Sequence, residues 1–331
     1  MGNDIKRGII FYSYQYEYYV GKMKLEDCFK AAFEAGAEGV DINPTQMVPG
    51  YPNPSEKFID NWYYLMDKYK TKPVSMNTML DTYPYKYRKA TDEELYQQFM
   101  SAINLAKKMG FSRTRLQPPK SILEKCLRYA EEKDVIIGYE IHAPKTFRSN
   151  EIQEVAEMIC KYNTKHIGFI PDLSIYSKCL PPVMLNQYRR KGAQEKIIKY
   201  LEELYQEKGI IDDSKTAREK YAEEIRKMGA NEADYELLGW SGAYVNSSPD
   251  DLKDLIPYAI NIHGKFYEMT EDCQEPSVDY ENIIPKLIEL GYSGYIVSEY
   301  EGQRWVEDIV EVDSVEQVRR QHIMLKRLLG H

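Results

Sequence analysis

With 331 residues, 43% of them hydrophobic and 29% charged, the chain has room for two ordinary domains or one large α/β barrel and is too apolar to be disordered. Its 44 basic and 52 acidic residues leave a net charge of −8 and no long basic stripe, which excludes nucleic acid as the main partner. The five cysteines, at 28, 126, 160, 179 and 273, are odd in number and form no CxxC pair. The N-terminal residues lack the apolar stretch of a signal peptide, and no run approaches the ~20 apolar residues of a membrane helix, so free thiols, a cytoplasmic location and no membrane partner are expected.

Apolar runs alternate with amphipathic ones along the chain. RGIIFY at 7–12 reads as a strand, 24–35 as a helix stopped by Gly36, and AEGVDI at 37–42 as the second strand. A helix over 55–70 leads to PVSMNT at 73–78, and one over 92–109, stopped by Gly110, leads to SRTRLQ at 112–117. A helix over 121–132 precedes DVIIGYEIH at 134–142, and a helix over 150–162 precedes HIGFIPD at 166–172. The seventh strand is expected in LIPYAINIH at 255–263; a helix over 281–290, the eighth strand in YSGYIVSE at 292–299 and a helix over 314–329 close the chain.

Apolar strands joined by helices imply a parallel sheet covered on its outside. The fold class expected is α/β, a (β/α)8 TIM barrel filling 1–331 as a single domain. An open doubly wound sheet is disfavoured, because YSYQYEYYVG and not a glycine-rich phosphate loop follows the first strand. One interval breaks the period. Residues 184–228, dense in Lys and Glu as in QEKIIKYLEELYQEK and AREKYAEEIRKMG, predict a helical insertion at about 180–250. Following strand six, it should sit on the C-terminal face as a lid, a partner surface or a solvated decoration.

The last four strands end on polar groups: Glu140, Asp172, His263 and Glu299. In isolation each has a structural explanation: Asp172 as a helix cap, His263 as a satisfied core residue. Together, on consecutive strands, three carboxylates and an imidazole suit a divalent metal such as Mn²⁺, Mg²⁺, Co²⁺ or Zn²⁺. A cation also removes the repulsion of three buried carboxylates. His142 stands two residues beyond Glu140 on the same side of the strand, placed as a general base or as a hydrogen-bond support for a ligand.

The Glu–Asp–His–Glu order on strands five to eight resembles the xylose isomerase-like superfamily, whose members include sugar phosphate isomerases and epimerases, inosose dehydratases and DNA repair endonucleases. INIHGK at 260–265 follows the His-x-Lys-Asp segment of many members but departs from it at Phe266, which puts the usual supporting carboxylate in doubt. EIHAP, SEYEGQRW at 298–305 and the closing VEQVRRQHIMLKRLLG resemble a narrower group, the catalytic alpha subunits of bacterial C-glycoside deglycosidases. That resemblance implies a carbon–carbon lyase acting on 3-oxo-C-glycosides of flavonoid type. It also implies a divalent metal, commonly Mn²⁺, a catalytic His in the place of His142, and a small β-sandwich beta subunit as partner in a hetero-oligomer.

The chemistry agrees. A C-glycosidic bond has no oxygen to protonate, so two-carboxylate hydrolysis does not apply. A 3-oxo group acidifies the C2 proton, and its loss permits β-elimination of the aglycone. Lys265 and Arg304 are candidates for substrate oxygens or for salt bridges to Glu268 or Glu301, and Arg115 and Gln117, ending strand four, face the same mouth. The Tyr-rich segments YSYQYEYY (12–19) and YPYKY (83–87) offer faces for an aromatic aglycone or are surface tyrosines. The chief rival is a keto-sugar 3-epimerase or isomerase using Glu140 and Glu299 as its acid/base pair. A repair nuclease with a trinuclear zinc site asks for more than the five His present, and a silent binding barrel leaves the four intact ligands unexplained.

Overall fold

The structure is a computed structural model that describes residues 4–210 and 215–331. Eight strands form one parallel sheet: β1 Lys6–Ile10, β2 Gly39–Ile42, β3 Lys72–Asn77, β4 Arg113–Arg115, β5 Ile136–Ile141, β6 Ile167–Pro171, β7 Ile262–Phe266 and β8 Tyr295–Tyr300. They run in the order β6-β5-β4-β3-β2-β1-β8-β7. β6 and β7 meet through the bridges Phe169↔Ala259 and Asp172↔His263, which makes a nearly closed (β/α)8 barrel. β2, β6 and β7 are buried at every position, as strands covered by helices outside and side chains inside must be. Ile10, Val74 and Val297 form a cluster to which no helix contributes; they fill the barrel interior, with Tyr12 and Tyr295 against them.

The enclosing helices, Leu25–Glu34, Glu56–Lys68, Asp92–Lys108, Lys120–Lys133, Asn150–Tyr162, Tyr280–Glu289 and Ser314–Leu329, fall where the periodicity predicts them. Their ends follow local chemistry. Thr91 and Glu94 close a reciprocal capping box, and Gly330 ends the last helix at φ +72°. No described helix is long and apolar enough to cross a membrane.

Strand seven corrects the sequence expectation. Leu252–Leu255 is a helical turn and Ile256–Tyr258 a 3-10 turn, so the strand starts at Ile262 and not at 255. Pro257 has no N–H for a central ladder, and it takes the first turn of the 3-10 segment instead. His263 is therefore the second residue of its strand, not the last. Residues 258–260 close the barrel in place of a ladder: the Ile260 N–H donates to Phe169 O at 2.9 Å, and its side chain enters over two glycines.

Between β6 and β7 lie the helices Pro182–Arg190, Glu195–Lys208, Lys215–Lys227 and Glu232–Ser241. They carry the helical character expected over 184–228 and continue it to Ser241; positions 211–214 of that expected span lie outside the described residues, as do 1–3 of the N-terminal segment. The insertion is anchored on the chain leaving β8. Gln187 Nε2 donates to Arg304 O at 2.7 Å, and Arg190 Nη2 donates to Trp305 O and pairs with Asp308, each at 2.8 Å.

At Gly168 an added Cβ would stand 2.4 Å from Ile260 Cγ2 and 2.7 Å from the Tyr258 carbonyl oxygen. Gly168→Ala is expected to destabilise the barrel by about 1–3 kcal/mol through overpacking at its closing seam. A urea midpoint equal to that of the wild type would show that the seam is loose.

Candidate metal centre

Parallel strands deliver side chains to one end of a barrel, and here four of them converge. Glu140 of β5, Asp172 just past β6, His263 of β7 and Glu299 of β8 each offer one ligand atom, all within 4.8 Å of one another. Opposite ligands about 2.1 Å from one ion would be about 4.2 Å apart, so the spacing is close to that of a ligand shell. The His263 Nδ1–H donates to Glu140 Oε1 at 2.7 Å and lies 3.1 Å from Glu299 Oε2. Its other nitrogen, Nε2, faces Asp41 Oδ2 at 3.9 Å.

The surroundings favour the ionised form of two of the three carboxylates, Glu140 and Glu299. Arg115 ends β4 and places Nη1 2.7 Å from Glu140 Oε2. Lys265, 1% exposed and opposite Glu299 in the β7–β8 register, reaches Asp172 Oδ2 at 3.3 Å, Glu299 Oε1 at 3.3 Å and Glu301 Oε2 at 3.1 Å. Burial pushes Glu140 upward, but Arg115, His263 and His142 hold it well below the usual carboxylate range. Burial likewise opposes ionisation of Glu299, which Lys265 and His263 take down to about 2. Burial dominates at Asp172 and raises it. His263 is pulled down by burial, yet Glu299 and Glu140 carry it up to about 10.

Asp172 Oδ2, Glu299 Oε2 and His263 Nε2 are buried without a hydrogen-bond partner among the described residues. Carboxylate oxygens so placed, in a set of three carboxylates and one imidazole, fit a divalent cation. These four residues can hold one.

His142 lies just beyond β5 and is partly exposed. A carbonyl only accepts, so the 2.6 Å contact of its Nδ1 with Ala143 O assigns the ring proton to Nδ1. That leaves Nε2 as an acceptor in the neutral ring, 3.9 Å from Asp172 Oδ2 at the rim of the cluster.

Arg304 lies on the exposed side of the same rim. It lines a cavity of about 250 Å³ with His142, Glu301 and Trp305, and also a cleft of about 700 Å³ lined by Tyr16, Tyr18, Tyr19 and Met47. The first Tyr-rich segment thus edges a cleft, whereas Tyr83 and Tyr87 of the second are exposed at 64% and 88% and line neither cavity. Gln117 is not brought to the cluster; it lines a separate groove with Lys120 and Tyr139.

Asp41 is the residue that sequence reasoning missed. Fully buried in β2, it accepts from Ser75 N at 2.9 Å and Asn77 Nδ2 at 3.1 Å, and burial raises it to about 7. It faces His263 Nε2 at 3.9 Å, beyond hydrogen-bond distance but on the side from which a supporting carboxylate would orient a ligating histidine. The role left doubtful at Phe266 is thus available from the opposite side of the barrel. Its signal was an acid placed between the apolar residues at the end of AEGVDI, unlike the exposed Glu38 near its start.

No family model matches the chain. Its fold is that of the xylose isomerase-like sugar phosphate isomerase/epimerase barrels. A solved structure of the IOLI protein with a bound zinc atom superposes with a TM-score of 0.58 at 13% identity, covering 98% of each chain. That of L-ribulose 3-epimerase superposes with a TM-score of 0.56 at 10% identity, covering 98% of this chain and 95% of that one. At such identities the likeness is one of fold. In sequence, the chain resembles the C-glycoside deglycosidase alpha subunit of Arthrobacter globiformis, 29% identical over 99% of this chain and 93% of that protein. It also resembles the 3'-dehydrocarminate deglycosidase alpha subunit of a Microbacterium species, 27% identical over 98% and 95%. Its relatives are enzyme subunits, and the chain is an enzyme.

Two outcomes follow for the cluster. A divalent cation at about 100 times its Kd should stabilise the fold by about 2.7 kcal/mol, a gain that EDTA removes and Asp172→Asn diminishes; thermal unfolding with Mn²⁺ checks it. In EDTA-treated protein, His263 has a folded-state pKa near 10, above its unfolded value of about 6.5. Its stabilising contribution is therefore complete below about pH 6.5 and lost as pH rises through about 10. Urea midpoints between these limits should fall more for the wild type than for His263→Gln.

Proposed function

We propose that the chain is the catalytic subunit of a lyase that cleaves the carbon–carbon glycosidic bond of a 3-oxo-C-glycoside, with an aromatic aglycone of flavonoid type. The observation that carries this reading is His142: its Nδ1 is occupied by Ala143 O, and its free Nε2 is aimed at the rim of the four-ligand cluster. The resemblance to deglycosidase alpha subunits along nearly the whole chain supports the same reaction, and the relative named for a 3'-dehydro compound supports an oxidised sugar.

Glu140, Asp172, His263 and Glu299 would hold the divalent ion, with Mn²⁺ the favoured identity; when bound it supplies Lewis-acid polarisation of the 3-oxo group. His142 Nε2 takes the C2 proton. The electron pair left at C2 forms the C1–C2 double bond, and the bond from C1 to the aglycone breaks. The aglycone carbon takes up a proton, which protonated His142 can return. Arg115 and His263 keep Glu140 anionic, and Lys265 does the same for Glu299, so both serve as fixed negative ligands. Lys265, buried among Asp172, Glu299 and Glu301, fits support of the ligands, while Arg304 on the rim fits contact with substrate. The relatives' designation as alpha subunits supports a second, smaller beta subunit, for which we propose a β-sandwich.

The test incubates the purified chain and Mn²⁺, with and without its small partner, with a 3-oxo C-glucosyl flavonoid and follows aglycone release by chromatography. Release should require the metal and fall about 10²–10⁴-fold in His142→Ala, the usual worth of a general base. Absence of release even with the partner, together with interconversion of free keto-sugars that survives in His142→Ala, would overturn the proposal in favour of an epimerase using Glu140 and Glu299.

A further inference from the structure

The insertion after β6 does more than cover the barrel. Its helix Glu232–Ser241 ends with Trp240 beside the His142 cavity, and Tyr244 follows on the same wall. Opposite them, on the loops leaving β7 and β8, stand Tyr267, Arg304 and Trp305. The rings are ordered in pairs: Trp240 meets Trp305 edge to face at 5.1 Å and 89°, and Tyr244 meets Tyr267 at 5.4 Å and 75°. The Arg304 guanidinium lies 5.3 Å from the Trp240 ring and 5.9 Å from that of Trp305. Packing explains Trp305, which is 4% exposed and held through its carbonyl by Arg190. It does not explain Trp240, a residue 39% exposed at the lip of a cavity that His142 also lines. An exposed indole and an exposed guanidinium, set against a space of about 250 Å³, are the groups that hold a flat, electron-rich ring by stacking and cation–π attraction.

We infer that this wall is the subsite for the aromatic part of the substrate, with Trp240 and Arg304 as its specificity-determining residues. The inference rests on the deglycosidase reading for the identity of that ring. The insertion thereby carries substrate choice, while the barrel strands carry the bond-breaking groups. Because Trp240 belongs to the insertion and Arg304 to the barrel loop, the subsite exists only when the two are clamped together, as Gln187 and Arg190 do.

The experiment uses the full chain with Mn²⁺ and a free hydroxylated flavone as probe, titrated by calorimetry. Trp240→Leu and Arg304→Ala should each raise the flavone Kd roughly 3–10-fold, the worth of one aromatic or cation–π contact, and Trp240→Phe should recover most of the loss. Tyr87→Ala, on an exposed surface that lines neither cavity, should bind the flavone as the wild type does. In turnover of the 3-oxo C-glucosyl flavonoid, Trp240→Leu should raise KM and leave kcat nearly unchanged. Wild-type flavone affinity in both Trp240→Leu and Arg304→Ala would overturn the subsite, and His142-dependent release would then leave the proposed reaction standing. Trp240-dependent flavone binding without release of aglycone by the wild type would instead overturn the reaction and keep the subsite as one for aromatic ligands.

Discussion

Three carboxylates buried within one small cluster are the constraint around which this barrel is organised. At about 4 Å, two like charges repel by about 4 kcal/mol even where the effective dielectric constant is about 20, so each acid needs an opposing charge that cannot drift away. Arg115 meets Glu140, Lys265 lies against Asp172 and Glu299, and His263 touches Glu140 and Glu299. These three cations come from β4 and β7, which hold them in a register set by backbone hydrogen bonds. A divalent ion among the same residues would take over the compensation that protonated His263 supplies, because a ligating imidazole must be neutral.

The alternation of strand side chains turns that cluster into a working site. Glu140 and His142, His263 and Lys265, and Glu299 and Glu301 are pairs two residues apart, so both members of each pair face the barrel axis. The first member lies in the cluster. The second lies beside it or at its rim: His142 with Nε2 toward Asp172, Lys265 as a buried cation, Glu301 as that cation's further partner. Each cluster residue and its neighbour are thus tied to one rigid backbone segment, which keeps their separation constant.

The elaborations sit where the strands end. The insertion reaches across from β6 to hold the loop after β8, and Asp41 reaches from β2 to face the far nitrogen of His263. Neither changes the barrel. One gives the site an aromatic wall, and the other sets a buried carboxylate 3.9 Å from the far nitrogen of its imidazole.

The chain's own pattern determined most of this: seven of the eight strands to within a few residues, every enclosing helix, the insertion, and the four converging ligands, because apolar periodicity and polar strand ends are local properties that a linear reading registers. Strand seven escaped because Pro257 and the turn before it are apolar enough to mimic a strand, while the true strand contains Gly264 and Lys265. Lys265 reads locally as a surface residue, and only the β7–β8 register makes it a buried partner of three acids. Asp41 and Trp240 were invisible for the same reason: nothing beside them in the chain hints at His263 or Trp305, 222 and 65 positions further on (263 minus 41 and 305 minus 240). Residue type and spacing chose which groups reach the mouth of the barrel; closure of the sheet and the clamp of the insertion decided which of them meet, since contacts between distant segments arise from packing and not from local pattern.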